Sequence, residues 1–312
     1  MSLRVDRGER MKINFTRLLR LSQWGWLILL LLGLSPGCSI QRLFVKTTTP
    51  ILQNEITTLY EEQDLVLGEM AVASGLKLLD GFIKADPQNS KFRLFASQGY
   101  ASYTLGFVED VDKERAVVLY QRARDYGLDI LKQDRIFAGA ADGTVDIFQQ
   151  AVETFSNEDV PALFWTANSW GLLINVKRDS PAAYADLPRV EALMQRVLAL
   201  DERFYYGGAH LFFGLLNCLR PKMLGGNPEK GKEHFEKALT ISDNKFLMTK
   251  VFYAQYYTVQ VQNDTLFTKL LQQVLDASID ILPEQRLVNA VAKKKARMLL
   301  AKKEEFFLTS EK

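Results

Sequence analysis

One step recurs along this chain and restricts its fold more than any other feature: three side chains spaced four and then three apart, with an aspartate soon after. Gly75, Leu79 and Phe82 precede Asp86-Pro87, Val190, Met194 and Val197 precede Asp201, and Gly231, Phe235 and Ala238 end near Asp243. Ala116, Tyr120 and Ala123 take the same step. This spacing places three residues on one helix face, and an aspartate beyond it stops the helix or caps the next. It is the pattern of the second helix in a tetratricopeptide repeat. A shift of 115 residues carries Asp86 onto Asp201, Gly99 onto Gly214, Glu114 onto Glu229 and Ala123 onto Ala238 without a gap. The same shift carries Leu79 onto Met194, Tyr120 onto Phe235 and Phe82 onto Val197. A duplicated pair of helical hairpins explains this offset. Gly99, Gly171 and Gly214 fall where one helix must approach another closely.

The expected fold is therefore all-α: irregular tetratricopeptide-like hairpins with an internal duplication, curled into a compact superhelix or bundle. Alternating, strand-like runs are scarce. The periodicity predicts helices over 53–85, 90–108, 112–132, 135–156, 160–176, 186–200, 205–219, 228–241, 245–262, 264–277 and 283–306, the first breaking near Gly68. Surface loops are expected at 177–185 and 220–227.

The N-terminus speaks to location. Lys12, Arg17 and Arg20 precede an 11-residue apolar or glycine run from Trp24 to Leu34, then Ser35-Pro36-Gly37-Cys38. A positive flank, a short apolar core and a small residue at the cut describe a secretory signal. The run is too short to span a bilayer, which needs about 20 apolar residues. Gly37-Cys38 resembles a bacterial lipobox, although Ser35 stands where an aliphatic residue is usual. The reading is a lipoprotein signal peptide over 1–37, a tether over 38–52 containing Thr47-Thr48-Thr49-Pro50, and one all-α domain over 53–312, with Cys38 lipidated. Met11 is a better start than Met1. Residues 1–37 hold six Lys/Arg and two Asp/Glu, so the overall charge of +2 becomes about −2 in the mature chain. A mildly acidic exported chain does not point to nucleic acid. Only Cys38 and Cys218 are present, so neither a disulfide framework nor a thiolate metal site is available within one chain.

Several stretches together resemble a known family: Arg122-Ala123-Arg124-Asp125-Tyr126-Gly127; Asp159-Val160-Pro161-Ala162-Leu163-Phe164-Trp165 leading into Ser169-Trp170-Gly171; Leu187-Pro188-Arg189-Val190-Glu191-Ala192-Leu193 before Ala209-His210-Leu211-Phe212-Phe213-Gly214; and Leu224-Gly225-Gly226-Asn227-Pro228-Glu229-Lys230 before Glu233-His234-Phe235. In order and spacing they are similar to TatT, the T component of tripartite ATP-independent periplasmic (TRAP) transporters, from about residue 70 to 305. The resemblance implies a lipid-anchored, periplasm-facing helical protein that works with a soluble substrate-binding protein in ligand capture. It also implies a homo-oligomer, such as a trimer, with apolar channels or clefts.

The residues offer few chemical alternatives. Gly226 to Lys232 satisfies G-x-x-x-x-G-K, but Glu233 replaces the Ser or Thr that holds Mg²⁺, and no strand precedes it. Asn227 as a cap and Pro228 in the first turn explain the same residues. His210 and His234 are the only histidines, and zinc needs three or four ligands. His210 either lines a cleft or closes a polar contact between helices. Cys218 on an apolar helix reads as core, and no nucleophile has a visible base partner. Lys293-Lys294-Lys295, Arg297, Lys302 and Lys303 read first as a solvated terminal helix. No enzymatic activity, cofactor or metal is expected.

The aromatic supply is richer. Trp165, Trp170, Phe212, Phe213, Phe252, Tyr253, Tyr256 and Tyr257 lie on helices that would be first in their hairpins, which usually line the inner surface of such stacks. Trp165, Trp170, Phe213, Tyr253 and Tyr257 are the rings expected at a site. With Asn168, Asn175, His210 and Asn217 they form the candidate ligand lining, apolar rings interspersed with orienting polar groups. Two functions follow: a lipid-anchored binding or adaptor subunit for an apolar or amphipathic molecule, a periplasmic binding protein or both; or a repeat scaffold for envelope assembly with no small-molecule site.

Overall fold

The elements follow from their caps. In a computed structural model, which describes residues 54–307, residues 54–60 are helical and Asp64 accepts from the backbone N–H groups of Val66 and Leu67 to start α1 (Leu65–Ala85). The break therefore falls at 61–64 rather than at Gly68, because the capping carboxylate sits there. Asp86 ends α1, and Asn89 caps α2 (Ser90–Tyr103), which continues as a π-helix over Thr104–Val108. Asp112 caps α3 (Lys113–Leu131). The helix expected over 135–156 divides into α4 (Arg135–Ala140) and α5 (Val145–Val152), since Thr144 caps a new start just after Gly143. Then come α6 (Val160–Val176), α7 (Leu187–Leu200), α8 (Phe204–Leu219) and α9 (Pro228–Ile241). Next is α10 (Met248–Phe252), widened to a π-helix over Tyr253–Thr258, followed by α11 (Asp264–Asp276) and α12 (Arg286–Ala301). No strand occurs among the described residues, and the fold is all-α. The signal peptide, the tether and Cys38 lie outside the described residues.

Several positions related by the 115-residue offset take the same local role. Asp86 and Asp201 both end a helix, and Asp112 and Asn227 both cap the start of one. Tyr120 and Phe235, Ala123 and Ala238 are all fully buried. In each half the middle helix, α2 or α8, packs chiefly on its follower, α3 or α9. Two glycines permit this closeness. A Cβ at Gly99 would lie 2.8 Å from Leu76 Cδ2, and one at Gly214 3.0 Å from Phe235 Cε1. Asn227 accepts from the Glu229 and Lys230 amides at 3.1 and 3.2 Å, with Pro228 as the first helical residue. The G-x-x-x-x-G-K spacing is thus a capped helix start.

The hairpins curl until the last helix meets the first. Leu287 and Val291, in the early turns of α12, pack at Gly68 of α1 and at Gly106 beyond α2. Lys294 Nζ donates to the Gly106 carbonyl at 3.3 Å. Lys295 donates to Glu109 at 3.0 Å and Asp110 at 2.6 Å, and Tyr120 holds the other Glu109 oxygen at 2.6 Å. Lys295 is only 4% exposed. The basic stretch is not simply a solvated face: one of its lysines is a buried clasp, because the packing of α12 brings two carboxylates to it.

Candidate ligand-binding cavity

Curling leaves a cavity of about 610 Å³, partly open to solvent, between the inward faces of α1, α2, α6, α8, α10 and α12. That volume suits a small molecule. Its wall is mostly aromatic and aliphatic: Tyr103, Phe107, Trp165, Tyr205, Phe212 and Phe252 among the rings, with Leu76, Leu172, Leu211, Leu215 and Val288 between them. Each inner helix contributes one stripe. On α6 the stripe is Trp165, Asn168, Leu172 and Asn175, at spacings of three and four, which hold a single face.

Of the nine side chains expected to line a site, the structure brings Trp165, Asn168 and Asn175 to this wall and places the other six elsewhere. All nine lie on inner helices or their π extension, and the error is one of rotation. Trp170, one residue from Gly171 on the wall, turns outward instead. It meets Phe148 edge-on at 6.5 Å between centroids, under the Arg124 guanidinium. Phe213 turns away while its neighbour Phe212 faces the cavity, and packs 5.6 Å from the His234 ring. Asn217 donates to the Phe213 carbonyl at 2.9 Å. Tyr253 stacks on Phe235 at 5.1 Å, and Tyr257 donates to Glu229 at 3.1 Å, both facing α9. A helix advances about 100° per residue, so a shift of one position moves a ring from the inner face to the hairpin seam.

His210 likewise belongs to the seam. Its Nδ1 lies 2.9 Å from His234 Nδ1, and its Nε2 lies 3.3 Å from Glu202 Oε2. The histidines thus make a polar contact between α8 and α9. Among the described residues no three His, Cys, Asp or Glu side chains gather as a metal-binding group. One ring must donate and the other accept across the 2.9 Å contact, so the pair cannot persist with both rings protonated. Burial, and then the His210 charge, hold His234 below the usual histidine range. A native pKa below the unfolded value means that the folded state binds fewer protons, so stability is lost as pH falls from the unfolded pKa near 6.5 through the lower folded one. Urea midpoints taken at pH 7.5 and pH 5 should fall more for the intact chain than for His234→Gln. Equal falls would remove the pair from the protein's acid sensitivity.

Sequence reasoning missed Tyr205 and Phe107, and it counted Phe212 and Phe252 in the aromatic supply without choosing them for the lining. Tyr205 and Tyr206 have φ of 46° and 59°, the left-handed region, followed by Gly207 at 77°. This turn sets Tyr205 against Trp165 at 4.7 Å and Phe246 at 5.6 Å between centroids. The Gly207-Gly208 pair was its one sequence signal. Phe107 reaches the wall because the π-helix after α2 adds a residue to the turn. Cys218 is buried, and burial followed by the Glu229 charge pushes its thiol up to about 12. It is a protonated core residue, not a nucleophile.

The profile of the TRAP transporter T-component family matches residues 61–307, nearly all of the described chain. The chain belongs to this family. It is also similar to a protein of Treponema pallidum (strain Nichols) described only as an uncharacterized protein, 21% identical over 309 residues, covering 88% of this chain and 94% of that one. The T-component is an accessory part of a transporter, and the match spans α1 to α12, which build most of the cavity wall. No described helix of this T-component is long and apolar enough to cross a membrane.

Proposed function

We propose that this T-component is the binding and adaptor subunit of a TRAP-type uptake system, taking an apolar or amphipathic small molecule into its central cavity. The observation that carries the reading is the cavity itself: about 610 Å³ with a mostly apolar wall, kept open where a purely structural bundle would be filled. Asn168 stands on that wall with its amide unpaired among the described residues, a group able to orient a guest. The partner in this reading is a periplasmic substrate-binding protein, the anchor is the Cys38 lipid on the periplasmic face of a bacterial membrane, with the outer membrane favoured, and the assembly is a homo-oligomer such as a trimer. These finer points rest on the family and on the signal sequence.

The test is to isolate the full chain from its own membranes, release bound small molecules with organic solvent and identify them. A cavity-filling variant, Leu215→Trp, is the control. A defined apolar or amphipathic species should be released from the intact chain and fall at least tenfold in the variant. Equal or absent release would favour the scaffold reading, in which the cavity holds no guest.

A further inference from the structure

The charged residues of the wall are unequal. The cavity is bordered by Glu55, Glu62, Arg178 and Arg220. Glu62 is committed to the backbone amides of Gln63 and Asp64 at 2.7 and 2.8 Å. Arg220 is paired with Glu191. Beside Glu55, the Thr58 hydroxyl is committed to the carbonyls of Asn54 and Glu55, leaving no donor there. Arg178 differs: it is exposed and has no carboxylate partner among the described residues.

Arg178 also has company. One turn earlier on α6, Asn175 lines the same wall, its amide 3.4 Å from the Tyr256 hydroxyl. The Arg178 charge reaches that hydroxyl and works to lower its pKa, against the larger effect of burial. A guanidinium and a carboxamide thus lie three positions apart on a mostly apolar wall, with a phenol behind the carboxamide. A guanidinium fork with neutral donors beside it is the chemistry that receives a carboxylate or phosphate.

We infer that the cavity takes a single-chain anionic amphipath, its tail among the rings of α2, α6 and α8 and its head on Arg178 with Asn175 and Tyr256. The inference rests on the cavity being a ligand site, as proposed above. It adds the charge and polarity of the guest and the end at which the head lies. The negative end of the α6 dipole also favours a cation at position 178, but that role by itself makes no distinction between guests.

The experiment uses the full chain in nanodiscs and cis-parinaric acid, a fluorescent fatty acid that quenches nearby tryptophan, here Trp165 on the wall. Its methyl ester is the neutral counterpart. Arg178 is exposed, so Arg178→Gln should change thermal unfolding little, while Arg178→Lys keeps the charge. The acid should bind the intact chain about fivefold tighter than Arg178→Gln, with Arg178→Lys in between and the ester indifferent to all three. Dodecanoate or dodecyl phosphate should displace the acid and dodecanol should not; the better competitor tells a carboxylate head from a phosphate head. If acid and ester bind alike, and Arg178→Gln changes neither, the charged head is wrong and the apolar cavity stands. If neither probe quenches tryptophan beyond the empty-disc control, the cavity reading itself is lost.

Discussion

Replacing Lys295 with methionine should cost the protein about 3–5 kcal/mol, because it strands two carboxylates in a site built around an ammonium. Burial works against the charge on Lys295, but Glu109 and Asp110 outweigh it and hold its pKa above the ordinary lysine range. The side chain is 5% exposed, those of its partners 16% and 26%, and the Tyr120 hydroxyl completes the shell around Glu109. Removing the cation leaves that shell without compensation. Adding Glu109→Gln and Asp110→Asn to Lys295→Met should recover much of the loss, since the stranded charges go too. Urea unfolding of the three chains is the measurement. A loss under about 1 kcal/mol for Lys295→Met would class the cluster with solvent-screened surface pairs. The clasp also joins α12 to the region after α2, so its loss should loosen that contact before the separate hairpins unfold.

Trp170→Ala should cost about 3–5 kcal/mol and leave guest binding nearly unchanged, while Phe212→Ala should do the reverse. Trp170 is 7% exposed and enclosed by Phe148 and Arg124, so its removal leaves an empty volume in packed structure. Phe212 is half-buried with one face on the cavity, so less of its contact is with the protein. Its truncation should cost about 1–2 kcal/mol and weaken an apolar guest severalfold. Paired thermal unfolding and tryptophan quenching read both quantities. If both substitutions destabilise alike and neither moves binding, the inner faces are core, and the scaffold reading is the better one.

The four-then-three step, the capping aspartates and the close-packing glycines are all local, and they set the helices and their partners. Asp86, Asp201 and Asn227 stop or start helices through their own hydrogen bonds, which need nothing distant. For that reason the all-α fold, the paired hairpins and the inner position of α6, α8 and α10 were legible in the chain. The family was legible too, since the segments that carry it lie in order along the sequence.

The rotation of each inner helix was not legible. Both faces of α6 are apolar, with Trp165 on one and Trp170 on another, and an all-round apolar helix gives no moment to say which faces a void. Neighbours decided it: α3 and α7 cover the Trp170 side, and α9 covers Phe213, Tyr253 and Tyr257. His210 became a seam residue because α9 brought His234 to it across 24 positions. Lys295 became a buried clasp because curling joined it to carboxylates 185 and 186 positions away. The sequence by itself determined that the chain is helical and where most of its helices start and stop. The tertiary structure alone decided which faces enclose the cavity and which charges meet, because helix rotation and long-range closure are set by packing between segments that share no local signal.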